Sequence, residues 1–223
     1  MNKKRVLALD YDRTLTLDDL QIPDQTKKIL MEVRKRNLAI LGVASGREVP
    51  FLKPVNESVS GAFSFFVAEN GSVVYDSESN TQKIFGKEWA ERVKEVFSGS
   101  GMVRFGEVMG ASCVENAEKI RKILASAEIE SRIERNRDSV MLLPPGVSKG
   151  SGVLSAIARF GARSEIELTS FGDGENDFSL FEFADVRVAV SNAVDQLKEM
   201  ADVVTSKPGG LGVEEYIRKK FML

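Results

Sequence analysis

Histidine is absent from this 223-residue chain. That excludes Ser-His-Asp triads, Cys-His pairs and histidine-ligated zinc. Acid–base chemistry near neutral pH then falls to carboxylates, lysine, tyrosine or a thiol. Any metal site must be built from oxygen, which suits magnesium or calcium. Cysteine is nearly absent as well. Cys113 stands alone, so no internal disulfide can form, a cytoplasmic protein is expected, and the thiol itself is expected to be a small buried apolar group. No apolar run approaches the ~20 residues that cross a bilayer. The basic start is followed by an apolar stretch that ends at Leu9, before Asp10, too short for a signal peptide. There is no excess of charge of one sign either: 31 Lys and Arg face 33 Asp and Glu, for a net charge of -2. Neither nucleic acid nor a membrane is therefore an expected partner.

The remaining composition, 43% hydrophobic and 29% charged, is that of a soluble globular protein. The length allows one substantial core, or a core with a small second domain. "KRVLALD" reads as a short buried strand, and "IPDQTKKILMEVRKRN" as a helix with Ile29, Leu30 and Val33 on one face and Asp24 as its N-cap. "LAILGVAS" is a second strand. "FSFFVAENGSVVYD" gives two more around a turn at Asn70-Gly71. Phe63, Phe65 and Phe66 are core residues. Strand-helix alternation returns from "SKGSGVLSAIARFG" onward, through "EIELTSFGD", "ENDFSLFEFA", "VRVAV", "AVDQLKEMA", "DVVT" and "LGVEEYIRKKF". Such alternation implies parallel strands joined by crossover helices.

The middle of the chain reads differently. Helices are expected at "KEWAERVKEVF" and "ENAEKIRKILASA", strand-like segments at "MVRFGEVM", and a hairpin in "ESRIERNRDSVMLLP", closed by the break Pro144-Pro145-Gly146. The fold class is thus α/β: a Rossmann-like parallel-sheet core from residues 1–75 and 147–223, with an α+β domain inserted at 76–146.

In an open parallel sheet, ligands bind beyond the carboxyl ends of the strands. Those ends carry polar and small residues here: Asp10-Tyr11-Asp12-Arg13-Thr14, then Ser45-Gly46-Arg47, then Gly172-Asp173-Gly174-Glu175-Asn176-Asp177. A helix starts at Ser148-Lys149-Gly150. Any one of these is ordinary turn or capping chemistry. Four of them converging on one crevice make a carboxylate cluster that needs a counter-charge. A bound Mg²⁺ supplies it through oxygen ligands.

"DYDRT", "SGR", the lysine of "VSKG" and "GDGEND" resemble, in order, the four motifs of the haloacid dehalogenase (HAD) superfamily. "AENG" (Ala68 to Gly71) and the form of the last motif resemble the branch with a C2-type cap between the second and third motifs, which includes archaeal phosphoglycolate phosphatases and sugar-phosphate phosphatases. The resemblance implies a Mg²⁺-dependent phosphomonoesterase. Asp10 would be the nucleophile and form an aspartyl-phosphate. Asp12 would act as acid and base, Ser45 would hold a phosphoryl oxygen, Thr14 would support the loop and Lys149 would offset negative charge. Asp10, Asp12, Asp173 and Asp177 would form the metal site, Asp173 as a direct ligand, Asp12 through its backbone carbonyl, and Asp177 behind Asp173 or bonded through water. Gly46, Arg47, Glu69, Asn70, Lys149 and Asn176 would face the substrate. Arg104, Arg132, Arg135 and Arg137 in the insertion suit a second phosphate or a carboxylate such as that of 2-phosphoglycolate. Arg13 departs from the pattern, which has glycine there most often. The alternatives are a sugar-phosphate phosphatase, a phosphomutase-like phosphotransferase and a non-catalytic binding protein that kept the fold. The expected partner is a small phosphate monoester, and the chain is expected to be a monomer or homodimer.

Overall fold

The computed structural model describes residues 3–223. The chain opens with β1 (Lys4–Asp10), α1 (Asp24–Lys35), β2 (Ile40–Ala44), α2 (Val49–Ser58) and β3 (Phe63–Ala68), then two further strands, β4 (Val73–Asp76) and β5 (Thr81–Ile84). A second run follows: α3 (Lys87–Val96), β6 (Arg104–Phe105), β7 (Gly110–Cys113), α4 (Ala117–Ser126), β8 (Arg132–Asn136) and β9 (Ser139–Leu143). The return comprises α5 (Lys149–Ile157), β10 (Ile166–Gly172), α6 (Phe178–Phe183), β11 (Val186–Ala189), α7 (Asp195–Met200), β12 (Val203–Val204) and α8 (Gly209–Phe221).

Eight strands form one sheet in the order β12-β11-β10-β1-β2-β3-β4-β5. From β12 to β3 all neighbours are parallel, and β4 and β5 add an antiparallel meander at the far edge. The parallel strands are nearly all apolar because helices cover them. The chain builds outward from β1 through β2 and β3, then returns to place β10 on the other side of β1. The carboxyl ends of β1 and β10 therefore flank a topological switch point, where the connections diverge and leave a crevice. Asp10 is the last residue of β1, and Asp173 follows the last residue of β10.

In α1, Thr26, Ile29, Leu30 and Val33 are buried at helical spacing. Asp24 is not its N-cap. Pro23 holds that position in an extended conformation with no side-chain acceptor, and Asp24 is the first helical residue. There its charge still favours the helix dipole. The Asn70-Gly71 turn does join β3 to β4, as a four-residue loop, Glu69 to Ser72, in which both Glu69 and Asn70 have positive φ. Phe63, Phe65 and Phe66 are core residues, as expected.

The other four strands form an antiparallel sheet in the order β6-β7-β9-β8. Strand alternation sorts its faces. Ile133, Val140, Leu142 and Phe105 join Val93, Phe97, Ile120 and Leu124 in a second core with α3 and α4. Arg132, Glu134 and Asn136, two residues apart on β8, occupy the opposite face, and Glu134 stands across from Met141. This face is turned toward the carboxyl edge of the large sheet, where Arg137 meets Asp173 and Asn70 meets Met141. Three expectations in this region need correction. The segment "MVRFGEVM" is strand only at Arg104–Phe105, because residues 106–109 turn, the Gly106 N–H donating to Met109 O and the amides of 107–109 to the side chain of Glu69. Residues 81–84, expected in the insertion, pair with β4 in the large sheet. Cys113 is exposed rather than buried, lying at the end of β7 opposite Ser139.

The two chain crossings between the sheets run side by side. Gly86 has φ +81, and a Cβ there would stand 2.1 Å from Cγ of Pro144. Only glycine meets both the backbone and the space.

Candidate active site

The first motif's loop leaves β1 in a tight turn. The N–H groups of Leu15 and Thr16 donate to Tyr11 O at 3.0 and 3.1 Å. Thr16 Oγ1 accepts from the Arg13 N–H at 2.9 Å, and Asn192 Nδ2 donates to Arg13 O at 3.0 Å. Within this turn Arg13 has φ +66. A left-handed conformation costs a side-chain-bearing residue about 1 kcal/mol, so the arginine is strained where glycine would not be. Its guanidinium lies 3.4 Å from Asp18 Oδ1 and 3.7 Å from Asp173 Oδ2, and its Nε is buried without a hydrogen bond. Arg13→Gly is therefore expected to gain about 1 kcal/mol of stability and to bind a divalent cation at least as tightly as wild type. Urea unfolding and calorimetric titration check this; a loss of stability would mean that attraction to Asp173 outweighs the strain.

Lys149 is the first residue of α5. Ser148 fixes that start with a reciprocal cap: its Oγ accepts from the Ser151 N–H at 3.2 Å, and its own N–H donates to Ser151 Oγ at 2.9 Å. The lysine side chain is 1% exposed and donates to Asp10 Oδ1 and Asp177 Oδ1, both at 2.6 Å. Burial alone would lower its pKa. Asp10 and Asp177 overturn that and hold the ammonium above the ordinary lysine value. Asp177 has no oxygen to spare, since its Oδ2 accepts from the N–H groups of Asp173 and Gly174 at 2.9 and 3.0 Å. It shapes the loop and seats the lysine. Asp10 is different. Among the described residues only its Oδ1 is engaged, so Oδ2 is left for a reacting atom.

Asp10, Asp173 and Asp177 each bring a carboxylate oxygen within 4.8 Å of the others, and all three are buried. Burial first, then Asp177, raises the pKa of Asp10 well above the carboxylate range, against the pull of Lys149. Burial and then Asp177 likewise push Asp173 up to about 6, against Arg137 and Lys149. Lys149 and Arg137 offset part of this charge, with Arg13 3.7 Å from Asp173, and a hard cation is a further counter-charge that the cluster could hold. The donor set fits such an ion, being all oxygen. Of the four aspartates expected here, Asp12 stands apart: Arg47 grips its carboxylate from Nε at 3.0 Å and from Nη2 at 2.7 Å, while stacking over Phe51.

The other expected residues divide into two groups. Thr14 is buried, 3.5 Å from Asp173 Oδ1. Ser45 is buried, and its Oγ accepts from the Arg47 N–H at 3.1 Å. Gly46, Asn70 and Asn176 are neighbours: Asn176 Nδ2 donates to Asn70 Oδ1 at 3.5 Å, and a Cβ at Gly46 would lie 3.5 Å from that same oxygen. Arg47 and Glu69, however, are spent within the protein, the first on Asp12 and the second on backbone amides of residues 107–109. A cleft of about 490 Å³ opens beside them, lined by Gly46, Arg47, Phe51, Glu69, Arg104 and Met109.

The small sheet adds residues whose role was not legible. Arg137, with φ +53 in the β8–β9 turn, donates to Asp173 Oδ2 at 2.8 Å. Glu134 accepts from Arg132 Nε at 2.7 Å through Oε1, while its Oε2 and the Oδ1 of Asn136 are buried with no partner among the described residues. Burial raises the Glu134 pKa despite Arg132. Asn192, which holds the Arg13 turn, carries no signal in the sequence beyond being polar, whereas Ser148 stands at the expected helix start and caps it.

Comparison with known proteins follows the same outline. The family model for haloacid dehalogenase-like hydrolases matches residues 7–98 and 104–217. The chain is 34% identical over 221 residues to phosphoglycolate phosphatase 2 of Saccharolobus solfataricus, covering 96% of this chain and 91% of that protein. A haloacid dehalogenase-like hydrolase structure from Bacteroides thetaiotaomicron superposes with a TM-score of 0.80 at 19% identity, over 98% of this chain and 100% of the other. The structure of a sugar phosphatase described as HAD subclass IIB gives 0.77 at 18% identity, over 99% and 100%. At those identities the structural likeness speaks for the fold.

Proposed function

Since the chain belongs to the haloacid dehalogenase-like hydrolases, we propose that it is a Mg²⁺-dependent phosphomonoesterase that hydrolyses a small phosphorylated metabolite through a covalent intermediate on Asp10. One observation carries the reading: Asp10 is pinned through one oxygen by a buried lysine, with the other free at the switch point of the sheet. A phosphoglycolate phosphatase among the relatives supports 2-phosphoglycolate as the substrate. The cap is assigned to residues 86–143, between the crossings at Gly86 and Pro144.

Asp10 Oδ2 attacks phosphorus in line, forming the Asp10–phosphorus bond as the bond to the ester oxygen breaks. Asp12 gives its proton to the departing alcohol, then takes one from the water that attacks phosphorus and releases phosphate and free Asp10. Arg47 must loosen its grip on Asp12 for these transfers, and a phosphoryl group drawing the guanidinium toward itself would do that. Lys149 favours the ionised form of Asp10 against burial and Asp177, and offsets the incoming negative charge. The hydroxyl of Ser45 donates to a phosphoryl oxygen. A cation held by Asp10 and Asp173 supplies neutralising charge to those oxygens when bound.

A sugar phosphate is the second reading, favoured by the two unpartnered acceptor oxygens of Glu134 and Asn136. These suit hydroxyl donors, whereas Arg104, 88% exposed at the cleft, suits a carboxylate. Phosphate release from a panel of phosphoglycolate, sugar phosphates and an aryl phosphate decides between them. Chelation with EDTA is expected to stop release and added Mg²⁺ to restore it. Cation affinity should rise from about pH 5 to about pH 7 as Asp173 loses its proton. Release indifferent to metal would remove the cation from the account.

A further inference from the structure

Glu69 was expected to face substrate. Its surroundings point elsewhere. The side chain is 2% exposed, and its carboxylate accepts three backbone N–H groups from the cap: Glu107 at 2.9 Å, Val108 at 2.9 Å and Met109 at 2.8 Å. Gly106 completes the cradle, since a Cβ there would lie 2.8 Å from the carboxylate. At its other end Glu69 is tied to the core: its own N–H donates to Arg47 O at 3.1 Å, and the next N–H, of Asn70, donates to Ser45 O at 2.9 Å. Glu69 and Asn70 are both left-handed, with φ +48 and +50. Two consecutive strained residues persist only where contacts over-determine them. Charge-assisted hydrogen bonds to three amides are strong enough to do so.

We propose that Glu69 is a positioning residue that fastens the cap to the core. Its carboxylate, seated on the amides of 107–109, sets where Arg104 and the open face of the cap sheet stand relative to Ser45 and Asp10. The backbone N–H of the same residue donates to the Ser45-Gly46-Arg47 loop, so the cap and the phosphoryl-binding loop are linked through one residue, by its side chain on one side and its main chain on the other. Glu69 does not itself contact the substrate.

The contact can be removed from either side, by Glu69→Gln or by Gly106→Ala, whose methyl group displaces the carboxylate. Hydrogen exchange of residues 107–109 is the primary readout. Both variants are expected to lose about 10- to 100-fold protection there, with α3 and α4 still protected. The double variant should lose little more than either single one, as two changes to a single contact do. The kinetic arm rests on the phosphatase reading: KM is expected to rise about tenfold in both variants with a smaller change in kcat. Wild-type protection in Glu69→Gln would overturn the proposal. So would a raised KM in Glu69→Gln with wild-type behaviour in Gly106→Ala, since that is the pattern of a substrate ligand. The exchange arm holds even if no ester is turned over, so failure of the phosphatase reading is seen separately. If Glu69→Gln does not fold, Gly106→Ala carries the test.

Discussion

Asp10→Asn is expected to lower phosphate release by at least about 10⁴-fold while the fold is kept, because removal of a covalent nucleophile deletes the pathway rather than one contact within it. The amide is the same size as the carboxylate and can still accept from Lys149 Nζ, which now stands 2.6 Å from Asp10 Oδ1. It does not attack phosphorus effectively, since it has no anionic oxygen and its nitrogen lone pair is delocalised into the carbonyl. The fold should survive for an electrostatic reason. Burial and the charge of Asp177 already penalise ionised Asp10, so losing that charge relieves repulsion as well as costing an ion pair. Thermal melts of the variant should stay within a few degrees of wild type, in contrast to the turnover.

Lys149→Met should behave in the opposite sense, losing stability as well as activity. The methionine fills similar volume, but Asp10 and Asp177 lose a charge-assisted partner in a site where the lysine is 1% exposed. Breaking a buried pair by removing one member typically costs about 3–5 kcal/mol. For a chain of this size that lowers Tm by roughly 6–20 °C. The pH dependence follows. Without the lysine, the Asp10 pKa rises further above its unfolded value. The folded state then holds a proton that the unfolded state has released. Stability is greatest below the unfolded carboxylate pKa and is lost as pH rises through the folded one. The deficit of Lys149→Met relative to wild type should therefore shrink in mild acid, and a divalent cation should restore part of it. A melt indistinguishable from wild type at neutral pH would mean that the cluster does not depend on the lysine.

Much of this arrangement was legible because its elements are local. β1, β2 and β10 are short apolar runs that end in polar residues, and the rule that ligands gather at the carboxyl ends of parallel strands places Asp10, Ser45 and Asp173 together from the sequence alone. Lys149 could be read from its place just after a strong chain break. What remained hidden depends on partners far apart in sequence. Arg47 lies 35 residues from the Asp12 it grips. Glu69 gives its carboxylate to amides about 40 residues away, and amides leave no mark in a sequence. β5, "TQKI", carries little apolar character because it is an exposed edge, so nothing in the sequence marks it as a strand of the large sheet. Arg13 was visible as an oddity, but only the backbone shows that it takes the left-handed conformation that glycine would take without strain.

The most direct test of the central claim is to mix the protein with its best phosphate ester and Mg²⁺, quench in acid during turnover, and locate the bound phosphoryl group by peptide mass spectrometry. The expected result is one phosphoryl group on the peptide that contains Asp10, absent from Asp10→Asn. A phosphoryl group on any other residue, or phosphate release that continues in Asp10→Asn, would contradict it.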